Sequence, residues 1–166
     1  PLYSSAASDV YKRQLILFLY LLLLVLIPVI CFIDPYKFNL KGTLINIVCF
    51  SLFSIGFINF LWAIKYIGRG LWGSIEPRLD RLIKEGPYKY IRHPVYLSAI
   101  LILSSIILLK RSLVSLIIFT FLFLTVLFFR IYFEEKSLKN KFKEEWMEWK
   151  EKTNLIFPLK IFRLFI

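Results

Sequence analysis

The only histidine in the chain, His93, follows Arg92 and precedes Pro94, with Tyr96 three residues on. A second polar group stands well downstream, the tandem carboxylates Glu134 and Glu135. Pro94 suits the first position of a helix, where its missing N–H is no loss. The first turn of such a helix leaves backbone N–H groups unpaired, and the helix dipole adds partial positive charge there. Arg92 and His93 add donors at the same point, so the segment can receive a carboxylate or phosphate. The same residues would also serve as a helix start that meets anionic lipid headgroups. Adjacent carboxylates at a membrane are costly without a partner or ligand. Arg130, four residues before Glu134 on the same helical face, offers an ion pair and leaves Glu135 unexplained.

The elements that must position these groups are apolar helices. The chain has 166 residues, 58% of them hydrophobic, more than a water-soluble domain carries. No Asp, Glu, Lys or Arg occurs in Leu15–Ile33, Thr43–Ile64, Pro94–Leu109 or Ser112–Phe129. Roughly 17–25 apolar residues in a helix cross the hydrocarbon core. Three segments reach that length, and the third needs snorkelling flanks such as Lys110 and Arg111. Only helices and closed barrels satisfy their backbone in lipid, and nothing here alternates as a barrel strand does. The fold class expected is therefore all-α: a polytopic transmembrane bundle of about four spans, the last two forming a tight hairpin. Pro28 is expected to kink the first span. Beyond the fourth span, Leu138, Phe142, Trp146 and Trp149 recur at helical spacing among Lys136, Lys139, Lys143 and Lys150. That pattern predicts a C-terminal amphipathic helix on the membrane surface or against the long connection.

The formal net charge of +11 reads as orientation, not as a nucleic-acid signal. Lys and Arg concentrate in residues 65–93 and in the tail from 134 onward, while the opposite connections carry Lys37, Lys41, Lys110 and Arg111. The positive-inside rule then makes the long connection and the C-terminus cytoplasmic, in a bacterial inner membrane on this reading. Residues 71–92 form the long polar connection, broken by Pro77 and Gly86-Pro87, and long connections of this kind often carry function. Gly68 and Gly70 read as the fraying end of the second helix; a lone GxG is a weak nucleotide signal. Cys31 and Cys49 lie inside spans and read as small apolar residues without metal or disulfide spacing.

Residues 1–14, Ser/Ala-rich and unlike the rest of the chain, read as a non-native leader, with native N-terminal residues expected to be missing. The remaining organisation expected is 15–70 as N-terminal transmembrane helices and 71–166 as the catalytic region.

A tight hairpin returns both its ends to one surface, which lets Glu134 and Glu135 approach His93. A positive helix start facing a carboxylate pair would suit a zwitterionic ligand, and S-adenosylmethionine has the required carboxylate, ammonium and hydroxyls. These residues resemble a known family. GPYKYIRHPVY at 86–96, EEKSLKNKFKEEWMEW at 134–149 and Phe157-Pro158 beyond them look like the isoprenylcysteine carboxyl methyltransferase-like and phospholipid methyltransferase group of membrane enzymes. The resemblance covers roughly residues 70–158. It implies an S-adenosylmethionine-dependent methyltransferase with its cofactor between the long connection, the hairpin and the C-terminal helix. The histidine and tyrosine of the family's RHPxY motif map to His93 and Tyr96, and its acidic pair to Glu134 and Glu135. The full cofactor-binding set expected is Tyr88, Arg92, His93, Pro94, Tyr96, Glu134 and Glu135, with no metal.

The chain departs from the family pattern at several points. Ser98 stands where a glycine is frequent, Lys143 where Phe-Gly is common, and Trp146 and Trp149 where tyrosines are common. Leu155 takes the place of a basic residue, which argues against a prenylcysteine acceptor. Methyl transfer from a sulfonium is an in-line displacement that depends chiefly on alignment. His93 is expected to hold the cofactor carboxylate rather than to act as a base. The acceptor is expected to be lipophilic and to arrive from the bilayer: a prenylcysteine-like carboxylate, a phospholipid amine or a thiol. Two rival readings remain at the level of sequence. Sterol and steroid reductases that use NADPH carry a similar RHPxY segment, but with Asn in place of Val95 and an acidic residue soon after the tyrosine. A non-catalytic membrane scaffold is the other.

Overall fold

The computed structural model describes residues 2–40, 42–67 and 81–157. Gly68, Gly70 and Pro77 lie outside the described residues, as does the first part of the long connection. The described chain is helical: α1 (Leu2–Ile33), α2 (Thr43–Ile67), a 3₁₀ turn (Gly86–Lys89), α3 (Pro94–Lys110), α4 (Leu113–Ile117), a π-helical turn (Ile118–Phe123) and α5 (Leu124–Lys152). Three helical runs are long and apolar enough to cross a membrane, Val10–Ile33, Thr43–Ile67 and Leu113–Lys152, and Pro94–Lys110 is a shorter apolar helix. The outer faces of these helices expose large apolar side chains, including Phe18, Val25, Phe50, Ile58, Phe121 and Phe128. Such a surface belongs in lipid, and the protein is an integral membrane helical bundle.

Small residues let α2 and α3 approach closely. A Cβ on Gly56 would lie 3.0 Å from Leu101 Cβ and Ile102 Cγ1 and 3.2 Å from the Ser98 carbonyl. Side-chain hydrogen bonds tie the same pair together. Asn59 Nδ2 donates to the Pro94 carbonyl at 2.7 Å and to Ser98 Oγ at 2.8 Å, and Ser105 Oγ donates to the Cys49 carbonyl at 2.7 Å. Ser98, at a position where glycine is frequent in the family the sequence resembles, is thus a fully buried link to α2. α1 packs against both α3 and α5. Its inner face, Tyr20, Leu23, Ile27 and Cys31, meets Tyr96, Leu103 and Phe123 in the main core. Cys31 and Cys49 are buried and unpaired with one another, as small apolar residues would be.

Pro28 is accommodated within an uninterrupted α1, and the helix extends N-terminally through residues read as a leader. Arg13, in that extension, donates from Nη1 to Ser137 Oγ at 2.8 Å.

The α3–α4 turn is as tight as expected. Arg111 adopts a left-handed φ of 57° and closes α3, and Ser112 Oγ caps α4 by accepting from Ser115 N–H at 3.1 Å. Asp34 comes to the same turn from the α1–α2 link. Its carboxylate accepts from Ser112 Oγ at 2.5 Å, Val114 N–H at 3.0 Å and Tyr36 N–H at 2.8 Å. Burial alone would raise this carboxyl, but the Ser112, Tyr36 and Val114 bonds outweigh it and hold Asp34 below its usual range. The π turn inserts an extra residue and rephases α5 relative to α4, a feature the periodicity does not announce.

At the opposite end of the bundle, α5 breaks at Lys143, whose φ of 44° and ψ of −112° are not helical. The arm beyond the break does not lie out along lipid. Its Trp146 and Trp149, with Leu138 just before the break, are buried against Ala63, Leu82 and Tyr88, which decides between the two placements that its amphipathic pattern allowed. The chain then turns back and pairs with the segment before α3, with an isolated parallel bridge between Ile91 and Asn154.

Candidate functional site

The polar centre is assembled at the N-terminal end of α3. Gly86 opens the turn that leads to it, with φ of 57°, and a Cβ there would overlap the Tyr66 ring. Both the conformation and the space call for glycine at this position. Pro87 and Tyr88 are buried in the 3₁₀ turn. The Tyr88 carbonyl accepts from Trp149 Nε1 at 3.0 Å, so the family position where this chain has tryptophan ties the arm to the turn. Arg92 N–H donates to the Asn154 carbonyl at 2.8 Å and His93 N–H to the Leu155 carbonyl at 3.1 Å. Residue 155 therefore holds the α3 start through its backbone, whatever side chain it carries.

Arg92 is buried and its guanidinium is consumed internally. Nε donates to Glu135 Oε1 at 2.9 Å, while Nη1 reaches the carbonyls of Lys150 at 3.3 Å and Thr153 at 3.1 Å. It fastens the end of the arm to the start of α3. His93 is also buried, and its Nε2 lies 3.0 Å from the same Glu135 Oε1. A carboxylate only accepts, so Nε2 carries the proton of this bond. His93 Nδ1 faces Glu134 Oε2 at 3.9 Å, too far for a hydrogen bond. The imidazole stacks on Tyr96, with centroids 5.3 Å apart and planes 17° from parallel. Pro94 is buried at the first position of α3, and its carbonyl is the acceptor for Asn59.

Tyr96 donates its hydroxyl to Glu134 Oε2 at 2.5 Å and accepts from Arg130 Nε at 2.7 Å. The simple Arg130–Glu134 ion pair that their spacing suggested does not form, because the Tyr96 hydroxyl stands between the two. Glu134 remains the more open carboxylate, its side chain 31% exposed against 15% for Glu135. Glu134 Oε1 has no hydrogen-bond partner among the described residues.

Of the five buried polar atoms that lack partners among the described residues, two, the Tyr88 hydroxyl and Trp146 Nε1, belong to one cluster under the arm. Burial, with the Glu134 carboxylate adding to it, pushes the Tyr88 phenol far above its usual range. Tyr88 is therefore a neutral hydroxyl at any physiological pH. No group of histidine, cysteine and carboxylate side chains among the described residues is arranged to hold a metal.

The structure thus brings Arg92, His93, Tyr96, Glu134 and Glu135 together across the hairpin, with Pro94 below them. Tyr88 joins through the arm and not by a bond to the cluster. One participant was not singled out from the sequence, and a second was read in part. Tyr20 of α1 meets Tyr96 edge to face, with centroids 5.7 Å apart. Its place on the inner face is legible in the spacing of Tyr20, Leu23, Ile27 and Cys31. Arg130 was read as a partner of Glu134 alone, although a charge so close to a span is itself a signal.

Such an arrangement, buried pairs of opposite charge closing one end of a lipid-facing helical bundle, defines an integral membrane protein with a charged centre at that end. The chain belongs to the phospholipid methyltransferase family, whose model matches residues 44–145. Membership makes it a membrane methyltransferase in general class and gives the family resemblance its footing. No curated protein and no solved structure matches the chain.

Proposed function

We propose that the protein is an S-adenosylmethionine-dependent methyltransferase that acts on a lipophilic acceptor, with residues 71–166 supplying most of the catalytic region. The observation that carries this reading is the closure of His93, Tyr96, Glu134 and Glu135 into one cluster in a chain of this family. The residues fit such a cofactor. Glu134 offers an open carboxylate oxygen to an ammonium, and Tyr88 and Trp146 offer buried, unused donors to the ring or hydroxyl acceptors of a nucleoside. When bound, S-adenosylmethionine would supply a methyl group on a sulfonium.

The chain's own residues divide the remaining work. Glu135 orients His93 and neutralises Arg92, Tyr96 fixes the Glu134 carboxylate, and the arm beyond Lys143 excludes water from Tyr88 and Trp146. A transfer of this kind depends on alignment of the reacting atoms more than on proton transfer, and a cluster held by buried bonds suits that need. The distribution of Lys and Arg supports a cytoplasmic position for the cluster, with a water-soluble cofactor entering from that side and the acceptor arriving from the bilayer.

The test is binding of labelled S-adenosylmethionine to detergent-purified protein. Glu134→Gln, which keeps the shape and removes the charge, should weaken binding by about tenfold, or about 1.4 kcal/mol. Preferential binding of NADPH, or S-adenosylmethionine affinity that ignores Glu134→Gln, would sink the proposal.

A further inference from the structure

Arg130 follows directly on the charge-free stretch 112–129, within the helical run Leu113–Lys152. It stands one turn, about 6 Å along the helix, from Glu134 toward the membrane interior. Charged groups bordering a span face the bundle and mark ligand paths unless they are fully paired. Arg130 is incompletely paired. Its Nε is spent on Tyr96, but Nη1 is buried without a partner. The guanidinium carbon lies 5.0 Å from the centroid of the Tyr20 ring and 5.6 Å from that of Tyr96. Two aromatic faces therefore hold the guanidinium in position while one of its donors goes unused.

A buried donor without an acceptor is costly, and more so when the group is charged. Among the described residues nothing on the neighbouring helices relieves it. Tyr96 Oη already accepts from Arg130 Nε and donates to Glu134, and the Tyr20 ring offers only its face. The planar fork of arginine matches a carboxylate or phosphate better than any neutral group.

From this we infer that Arg130, steadied by Tyr20 and Tyr96, is a specificity-determining residue that binds an oxyanion carried by the lipophilic acceptor. It rests on the proposed reading that an acceptor enters from the bilayer. It goes beyond that reading by assigning the acceptor an anionic oxygen and naming the residue that receives it. Tyr20 lies outside the family match, so this part of the site draws on a helix that the match does not include. The oxyanion is a phosphodiester or a carboxylate, and the geometry of a guanidinium serves both.

The experiment is native mass spectrometry of detergent-purified protein equilibrated with dioleoylphosphatidylethanolamine, oleate or dioleoylglycerol. These carry a phosphate, a carboxylate and neither. The wild type should retain at least one anion-bearing lipid about tenfold over dioleoylglycerol. Arg130→Gln should abolish that preference, and Arg130→Lys, which keeps the charge and loses the fork, should reduce it severalfold. Lys136→Gln, at an exposed position on the same helix, should leave it unchanged. If Arg130→Gln does not fold, the severalfold loss in Arg130→Lys decides the matter.

A wild type without preference, or a preference that survives loss of Arg130, overturns the inference, as does one lost equally in Lys136→Gln. Labelled S-adenosylmethionine is measured on the same samples. Its failure to bind the wild type sinks the proposed function and leaves the lipid result standing. Its loss in Arg130→Gln with lipid preference intact would assign Arg130 to the cofactor instead.

Discussion

At the scale of single residues, the two adjacent glutamates have different work. Glu135 is bonded to both Arg92 and His93, and all three side chains are largely buried. Removing one partner of a buried ion pair leaves an uncompensated charge and costs about 3–5 kcal/mol. Glu135→Ala should therefore lower the thermal unfolding midpoint in detergent sharply, whether or not cofactor is present. Glu134→Ala, which removes a partly exposed carboxylate, should leave the midpoint within a few degrees of wild type. Equal melting of the two variants would contradict this division. Loss of function in Glu135→Ala is thus poor evidence for ligand contact, and Glu134 is the informative position.

Lys143 is a residue-scale case of the opposite sign. Its φ of 44° lies in the left-handed region, at the position where the resembled family commonly has Phe-Gly. A non-glycine residue held in a sparsely populated region stores about 1–3 kcal/mol. Glycine releases that strain and loses roughly 0.5–1 kcal/mol to chain entropy. Lys143→Gly should raise stability by about 1 kcal/mol, read as an upward shift of the thermal midpoint, and a drop would refute the strain.

At the scale of elements, the α3–α4 turn and the α1–α2 link are locked by Asp34. The folded-state carboxyl lies below its usual value, so its contribution is present above about pH 4 and is lost as pH falls through the lower folded value. Asp34→Asn should melt below wild type at neutral pH, and the gap should narrow as pH is lowered from about 5 toward 3. A gap that is constant with pH would mean that the carboxylate charge is not what holds the turn. This lock lies at the end of α3 opposite His93, so it fixes the hairpin from which the site is built. The π turn and the break at Lys143 act on the other helix of that hairpin. The first rephases α5, and the second bends its end over Tyr88.

At the scale of the whole molecule, the site draws on more than the region first marked as catalytic. α1 supplies Tyr20, α2 supplies Asn59, and the segment after α5 receives the N–H groups of Arg92 and His93. The bundle is an apolar shell around this centre, with ion pairs at one end and the Asp34 lock at the other. In such a shell a polar group without a partner is conspicuous, which is why the spare donor of Arg130 bears on what the bilayer delivers.

The sequence by itself determined the helical spans and their tight hairpin, and allowed the His93 segment to meet the acidic pair. Hydrophobic length and the short Lys110-Arg111-Ser112 link dictate these, because lipid admits little but helices and so short a link admits only an antiparallel return. It also contained the two departures, Lys143 and Ser98, without their meaning. Only the tertiary structure decided that Arg92 staples the arm, that Tyr96 stands between Arg130 and Glu134, and that Asp34 caps a helix from a distant link. Hydrogen bonds between residues far apart in sequence leave no periodicity to read. They depend on helix rotation, which the π turn shifts by one residue, and on a backbone break that no apolar pattern records.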